Sequence, residues 1–267
     1  MTEVVLMEVR DAVAVLTLNR PDRLNAWTPE LQTQYFDLLD ACSADPAVRV
    51  IVVTGAGRGF CAGADMQALQ SLAGGESDAG AGNGVGPVAV DERPVRYPLS
   101  SPKPIIAAIN GPCAGIGLVL ALMCDLRFAA AEAKITTAFA RRGLVGEHGI
   151  SWLLPRLVGP AHALDLLLSG RVVLGGEAAK LGLVNRAVDG DVVEVALDYA
   201  AELARECSPA SMAAMKRRVY ADLEATLPEA VDEANRLMGE SFAQPDFAEG
   251  VQSFLERRAP RFAPLTS

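Results

Sequence analysis

Short apolar runs rich in β-branched residues alternate along this chain with longer stretches in which apolar residues recur every three or four positions. Residues 4–18 form two such short runs with a polar pair between them, a pattern typical of a β-hairpin. Thr28 and Pro29 then supply a helix N-cap and a proline at the first helical position. Together they predict a helix that continues to about residue 44.

Two further runs, residues 49–54 and 103–110, are largely apolar and predict buried strands. After each strand a glycine-containing turn leads into an apolar helix, with CAGAD at 61–65 and CAGIG at 113–117. Amides at a helix start are unpaired and carry a partial positive potential, so such turns attract anions or a developing oxyanion. Either turn alone would indicate only that glycine permits a sharp bend. Two of them, each after a buried strand, favour a shared site.

The last part of the chain has a helical pattern only. A run of helices after strand–turn–helix units predicts an α/β fold with a core over residues 1–190 and a helical region over residues 191–267. The wide apolar faces of these helices indicate contact with another subunit. The helices are expected at 191–206, 209–222, 228–243 and 246–258.

Residues 73–90 are rich in glycine and alanine without any period. This composition predicts a flexible surface loop, which could act as a flap over a site.

Composition and charge narrow the choice of partners. A net charge of −9 and a pI near 4.8 argue against nucleic acid or an anionic membrane as the main partner. No apolar run reaches the roughly 18–20 residues that span a bilayer, and the first residues lack the features of a signal peptide. The five cysteines include no CxxC pair and have no histidine at metal-binding spacing, which predicts free thiols, a cytoplasmic location and no metal site.

Five segments of the chain form a recognisable series in this order: RPDRLNA, GFCAGADM, KPIIAAINGPCAGIGLVLALMCDLRFAA, LLPRLVGPAHALDLLLSGR and AAKLGLVNRAV. Together they strongly resemble the enoyl-CoA hydratase/isomerase, or crotonase, family. The resemblance runs from about residue 12 to residue 258. It implies a crotonase-like spiral of ββα repeats with a C-terminal helical trimerisation region, and a homotrimer or a dimer of trimers. It also implies an acyl-CoA thioester substrate with no separate cofactor, because coenzyme A is part of the substrate.

The resemblance assigns roles to particular residues. The backbone amides of Ala64 and Ile116 would form an oxyanion hole for the thioester carbonyl, where one preorganised donor is typically worth ~10²–10³ in rate. Ile116 departs from the glycine usual in the family, which keeps the donor and narrows the acyl pocket. Two segments would lie along coenzyme A, and Arg23 would supply positive charge for its phosphates. The residues expected to bind coenzyme A are Arg23, Leu24, Ala26, Ala62, Gly63, Asp65 and Met66.

The acid that performs the chemistry is expected at Glu147. Hydratases of the family use two glutamates to add water, and the resemblance places those two positions at Val119 and Phe139, neither of which ionises. In family members that shift a double bond, an acidic residue occupies the position of Glu147. One carboxylate suffices for that reaction, because it removes a proton from C2 of a 3-enoyl thioester and returns it to C4. An apolar acyl pocket would raise the pKa of this glutamate.

Several alternatives stay open on the sequence alone. Glu147 could be an acid at a helix start, stabilised by the helix dipole, and His148 could donate to it or to the substrate, or only pack there. Asp65 is expected to cap a turn, and Asp125 to be structural.

Two further groups are expected to have no catalytic role. Cys61 has no partner that would make it a nucleophile. The basic run at 216–218 is expected to be solvated, with contact to the coenzyme A phosphates as the alternative. The overall function could instead be hydration of a 2-enoyl-CoA, or that of a catalytically silent relative that binds acyl-CoA or RNA.

Overall fold

A computed structural model describes residues 3–73 and 91–265. Most of the segment expected to be a flexible loop therefore lies outside the described residues, and residue 73 ends a helix. The strands are β1 Val5–Arg10, β2 Val13–Leu18, β3 Val50–Gly55, β4 Ile105–Ile109, β5 Cys113–Ala114, β6 Leu126–Ala130, β7 Lys134–Thr136, β8 Val173–Leu174 and β9 Arg186–Val188. The α-helices are α1 Pro29–Ala44, α2 Met66–Ala73, α3 Ile116–Leu122, α4 Ile150–Ser169, α5 Gly175–Lys180, α6 Val192–Glu206, α7 Pro209–Asp222, α8 Leu227–Ser241 and α9 Pro245–Glu256.

The strands form two sheets. The larger sheet has six strands in the order β1-β2-β3-β4-β6-β9, and every neighbouring pair in it is parallel except the β1–β2 hairpin. The smaller sheet has the order β5-β7-β8. In two places a parallel strand leads through a glycine turn into a helix, as expected: β3 leads to α2, and β4 leads to α3 by way of β5.

The larger sheet is covered on both faces, so its central strands are apolar on both sides. Ile51 and Val53 of β3 belong to the main core, which also contains residues of α1, α3 and α4. Val50 and Val52 belong to a second core on the opposite face, where α6 packs. Because both faces of a parallel strand are buried here, the sequence shows a continuous apolar run rather than an alternation.

Helix α6 packs onto the sheet through small residues spaced four apart. Val192, Ala196, Ala200 and Ala204 are buried against the second core, and alanine at these positions lets the helix approach closely. The helix therefore shares the core of the preceding residues. The division of the chain at residue 190 stays a prediction.

Helices α7, α8 and α9 carry many large apolar side chains on their exposed surfaces, and no side chain of α8 is buried. Within residues 3–73 and 91–265, no helix combines the length and the apolar character that crossing a bilayer requires.

Candidate active site

A cavity of about 570 Å³ lies where the two glycine turns meet. Its lining contains every residue for which the sequence predicts a catalytic or coenzyme A-binding role. The lining residues are Asp22, Arg23, Leu24, Ala26, Arg58, Ala62, Gly63, Ala64, Asp65, Met66, Leu69, Ala114, Gly115, Ile116, Thr137, Ala138, Phe139, Arg142, Leu144, Val145 and Glu147.

The two turns are hydrogen-bonded side by side. Cys61 and Cys113 form a parallel bridge, in which the Cys61 N–H donates to Pro112 O (3.2 Å) and the Ala114 N–H donates to Cys61 O (3.0 Å). Ala64 and Ile116 each follow their bridged cysteine by three residues. Backbone pairing therefore aligns the two turns, and the amides of both residues lie at the lining of one cavity.

Neither of these amides is used by the protein itself. Among the described residues, the N–H groups of Ala64 and Ile116 have no hydrogen-bond acceptor. Ile116 is the first residue of α3, where an amide has no partner within the helix. Such free N–H groups at a helix start suit an oxyanion that develops during a reaction.

Glycine is required in both turns by the backbone. Gly63 has φ +108°, and Gly115 has φ +51° with ψ −123°, conformations that residues with a Cβ rarely adopt. Gly117 is needed for a different reason, because a Cβ there would lie 2.2 Å from Cys61 O. These glycines let the start of α3 rest directly against the first turn.

A second wall of the cavity comes from the segment before α1. The Ala62 N–H donates to Leu24 O (3.0 Å) and the Trp27 N–H donates to Gly63 O (2.8 Å), so the segment runs alongside the first turn. Asn25 is fully buried and fixes this segment, because its side-chain amide donates to Gly59 O (2.8 Å). The two segments expected to follow coenzyme A are thus neighbours in space.

Asp65 lines the cavity and also holds its walls together. One carboxylate oxygen accepts from the Arg20 guanidinium (2.9 Å), and the other accepts from the Gln67 N–H (3.0 Å) in the first turn of α2. The hydrogen bond from Arg20 is the main reason that the pKa of Asp65 lies below its usual value. Asp65 therefore has the capping role expected of it and stays ionised near neutral pH.

Glu147 reaches the cavity from the loop before α4. Its side chain is 26% exposed, and burial raises its pKa above the ordinary value for glutamate. The N-cap of α4 is Gly149, and no side chain caps this helix. Glu147 therefore makes no capping hydrogen bond to α4, but it lies two residues before the N-cap, so stabilisation by the helix dipole stays an alternative. A carboxylate with a raised pKa suits a general base.

His148 lies next to Glu147. Its Nε2 is 3.5 Å from Oε2 of Glu147, and burial lowers the pKa of the imidazole, which favours the neutral form. The distance exceeds that of an N–H···O hydrogen bond.

The two positions where hydratases of the family carry glutamates differ in their surroundings. Phe139 lines the cavity, whereas Val119 is fully buried in the main core and is not part of the described cavity lining. The side chain of Val119 packs into the core from within α3. Ile116 lies at the cavity, as expected, and so does Phe139.

Three arginines line the cavity. Arg23 was expected there, but Arg58 and Arg142 were not. Arg58 stands in the glycine-rich turn after β3, and its charge next to a strand end was the signal that could have revealed it. No described acidic residue forms an ion pair with Arg23, Arg58 or Arg142, so all three can meet anionic groups of a ligand.

Other residues considered on the sequence have structural roles. Cys61 is fully buried, and burial raises the pKa of its thiol to about 11, so it is not a nucleophile near neutral pH. Asp125 accepts hydrogen bonds from the Ile105 N–H and the Tyr220 hydroxyl, as a structural residue should. The expectation that the basic run on α7 is solvated is wrong for Lys216, whose largely buried ammonium lies 2.8 Å from Asp125.

A metal site is not part of this arrangement within residues 3–73 and 91–265, where no group of three histidine, cysteine, aspartate or glutamate side chains is placed to hold an ion. The cavity lining offers two amide donors, the carboxylates of Asp22, Asp65 and Glu147, and three guanidinium cations.

Comparisons with known proteins concern the chain as a whole. Residues 8–264 match the profile of the family described as Enoyl-CoA hydratase/isomerase. The chain is 36% identical to the 1,2-epoxyphenylacetyl-CoA isomerase of Escherichia coli (strain K12), over 98% of this chain and 99% of that protein. It is also 36% identical to a probable enoyl-CoA hydratase of Bacillus subtilis (strain 168), over 96% of this chain and 97% of that protein.

Among solved structures, a probable enoyl-CoA hydratase/isomerase from Mycobacterium abscessus superposes with a TM-score of 0.87. The two chains are 35% identical, over 98% of this chain and 99% of that one. The two proteins are therefore alike in sequence as well as in fold, over nearly the whole length of both chains.

Proposed function

The chain belongs to the enoyl-CoA hydratase/isomerase family, and on that premise we propose that it shifts a double bond in an acyl-CoA, converting a 3-enoyl-CoA into a 2-enoyl-CoA. One observation carries the proposal. Glu147 brings a carboxylate to the same cavity as the free amides of Ala64 and Ile116, while the two positions that hydratases need as acids hold Val119 and Phe139.

The proposed reaction consists of two proton transfers. The Glu147 carboxylate removes a proton from C2 of the 3-enoyl thioester, and the electron pair moves onto the thioester oxygen as a dienolate. The amides of Ala64 and Ile116 stabilise this oxyanion more than the neutral carbonyl, which lowers the barrier. The protonated Glu147 then returns the proton to C4, and the double bond moves into conjugation with the thioester.

The raised pKa of Glu147 supports this role. A base works best when its pKa lies near the operating pH, and burial moves this carboxylate in that direction. Since the reaction only moves a proton, it requires no redox cofactor and no metal. Coenzyme A would lie along residues 23–26 and 62–66, with its phosphates near Arg23 and Arg58.

Hydration of a 2-enoyl-CoA is the second candidate, and it is favoured by the relatives that bear the name probable enoyl-CoA hydratase. In that reaction Glu147 would orient and deprotonate a water. The relative named 1,2-epoxyphenylacetyl-CoA isomerase supports isomerisation as a chemistry of close relatives.

The test compares turnover of 3-enoyl-CoA and 2-enoyl-CoA by the wild type and by Glu147→Gln, followed through the absorbance of the conjugated thioester. We expect the wild type to gain absorbance with 3-enoyl-CoA and Glu147→Gln to be ~10²–10⁴ slower. Glu132→Gln is the matched control, because Glu132 is exposed and lies outside the cavity lining. Loss of absorbance from 2-enoyl-CoA alone would favour the hydratase. Binding without turnover of either substrate would favour a silent relative.

A further inference from the structure

The imidazole of His148 contains a buried nitrogen that the proposed reaction does not use. Its Nε2 is inaccessible to solvent and has no hydrogen-bond partner among the described residues. The nearby group able to pair with it is the Glu147 carboxylate, whose Oε2 is 3.5 Å away. A buried polar atom without a partner is uncommon and costs free energy, so it calls for a functional explanation.

The backbone brings these two consecutive side chains together. His148 has φ +53° and Gly149 has φ +80°, and the Ile150 N–H closes the turn by donating to Glu147 O (3.2 Å). A left-handed conformation is uncommon for a residue with a side chain, and such strained residues concentrate at functional sites. In this turn the strain accompanies a contact between the imidazole and the carboxylate that lines the cavity.

We propose that His148 is a positioning residue for Glu147, donating its Nε2–H to Oε2 when an acyl-CoA occupies the cavity. The other carboxylate oxygen then remains free to take the proton from C2. This inference rests on the proposed function of Glu147. A shortening of about 0.5 Å would turn the present contact into a hydrogen bond, and loose contacts of this kind tighten in the substrate complex.

The charges around the pair allow this arrangement. Burial lowers the pKa of His148 and raises that of Glu147, and no other charged group among the described residues contributes to either change. Arg142 also lines the cavity, but its guanidinium donates to Ala138 O (3.3 Å). A neutral imidazole has one N–H. When that proton is on the buried Nε2, it faces the Glu147 carboxylate, which can accept it in a hydrogen bond. A hydrogen bond to the carboxylate favours its ionised form, which opposes the effect of burial on Glu147.

The experiment compares His148→Gln with His148→Leu in the pH dependence of kcat, using whichever enoyl-CoA the wild type turns over. The pH dependence of kcat reports the pKa of the base in the substrate complex, where the hydrogen bond is proposed to form. A glutamine amide can place a donor near the position of Nε2, whereas leucine cannot. For His148→Leu we expect the acid limb of the pH profile to move up by about one pH unit. Loss of the donor destabilises the charged form of the Glu147 carboxylate and so raises its pKa. We expect the limb of His148→Gln to stay at the wild-type position. Both variants meet the same left-handed backbone, so they are matched in strain.

Thermal unfolding of each variant separates loss of the donor from loss of the fold. If His148→Leu does not fold, His148→Asn replaces it, because asparagine tolerates a left-handed backbone and its amide is too short to reach the carboxylate from the Nε2 position. An unchanged acid limb in the variant without the donor would overturn the proposal, and so would an equal shift in His148→Gln. If Glu147→Gln itself keeps wild-type turnover, the proposed function fails and this inference fails with it. If Glu147→Gln is inactive and the His148 variants keep the wild-type limb, only the inference fails.

Discussion

At the scale of single residues, the site depends on backbone geometry more than on side-chain chemistry. Gly115 has φ +51° and ψ −123°, a combination that a residue with a Cβ hardly ever adopts. A Cβ at this position would meet no atom closer than 3.9 Å. The requirement for glycine here is therefore conformational rather than steric, and the conformation aims the Ile116 amide.

Substitution of Gly115 tests that requirement. Gly115→Ala should lower kcat by ~10²–10³, because the strained turn relaxes and moves the Ile116 amide, one donor of the proposed oxyanion hole. Gly190→Ala is the matched control, since Gly190 also has a left-handed backbone (φ +107°) and open space around it, but lies outside the cavity lining. Both variants carry a strain cost of about 1 kcal/mol in stability. Equal kcat values for the two variants would contradict the role given to the turn.

At the scale of elements, Asp125 connects the larger sheet with the C-terminal helices. It lies just before β6, accepts from the Ile105 N–H of β4 (2.7 Å) and pairs with Lys216 of α7 (2.8 Å). The Tyr220 hydroxyl on the same helix donates to its second oxygen (3.0 Å). The side chain of Lys216 is only 7% exposed, and its ammonium faces this carboxylate.

Removal of the carboxylate should therefore release α7 from the sheet. Asp125→Ala should lower the free energy of unfolding by about 3–5 kcal/mol, because it leaves a buried ammonium without a counter-ion. Urea unfolding followed by circular dichroism measures this change. Asp125→Asn keeps an acceptor for the Ile105 N–H and should lose less. Wild-type stability in Asp125→Asn would show that the ion pair contributes nothing beyond the hydrogen bond.

At the scale of the whole molecule, the C-terminal helices expose more large apolar side chains than is usual for a protein that is monomeric in solution. Helices α7, α8 and α9 expose large apolar side chains, among them Met215, Leu227 and Met238, and Phe254 of α9 is 82% exposed. A patch of this kind marks an interaction surface. It supports the prediction of a homotrimer or a dimer of trimers, in which copies of this helical region cover one another.

The assembly can be measured directly by light scattering. The wild type should have three or six times the 28.1 kDa mass of the chain. Phe254→Glu should give smaller species, because it places a charge in an apolar contact that excludes water. Phe254→Leu keeps the apolar character and should assemble as the wild type does. A wild type with the mass of one chain would contradict the prediction.

The whole molecule also constrains how an anionic substrate binds. The net charge of −9 repels coenzyme A at long range, whereas Arg23 and Arg58 present cations at the cavity that have no ion-pair partner in the described part of the chain. Attraction is therefore confined to the immediate surroundings of the site, as expected for a chain whose overall charge opposes its ligand.

The sequence by itself determined the order and type of most elements. Thr28 caps α1 by accepting from the Leu31 N–H, and the predicted helix over residues 29–44 matches the observed one. The apolar runs became β3 and β4, and the helical pattern after residue 191 became α6 to α9. These features follow from side-chain periodicity and from hydrogen bonds between near neighbours, which a linear sequence records.

Which residues lie next to one another in space depends on the tertiary structure and could not be predicted from these patterns. The tertiary structure placed Arg58 and Arg142 at the cavity, turned Val119 into the core, buried Lys216 against Asp125, and left Nε2 of His148 facing Glu147. Each of these facts depends on the pairing of segments far apart in the chain or on the rotation of a side chain about its own backbone. Such relations arise only when packing fixes register and orientation, so no local pattern of residues could contain them.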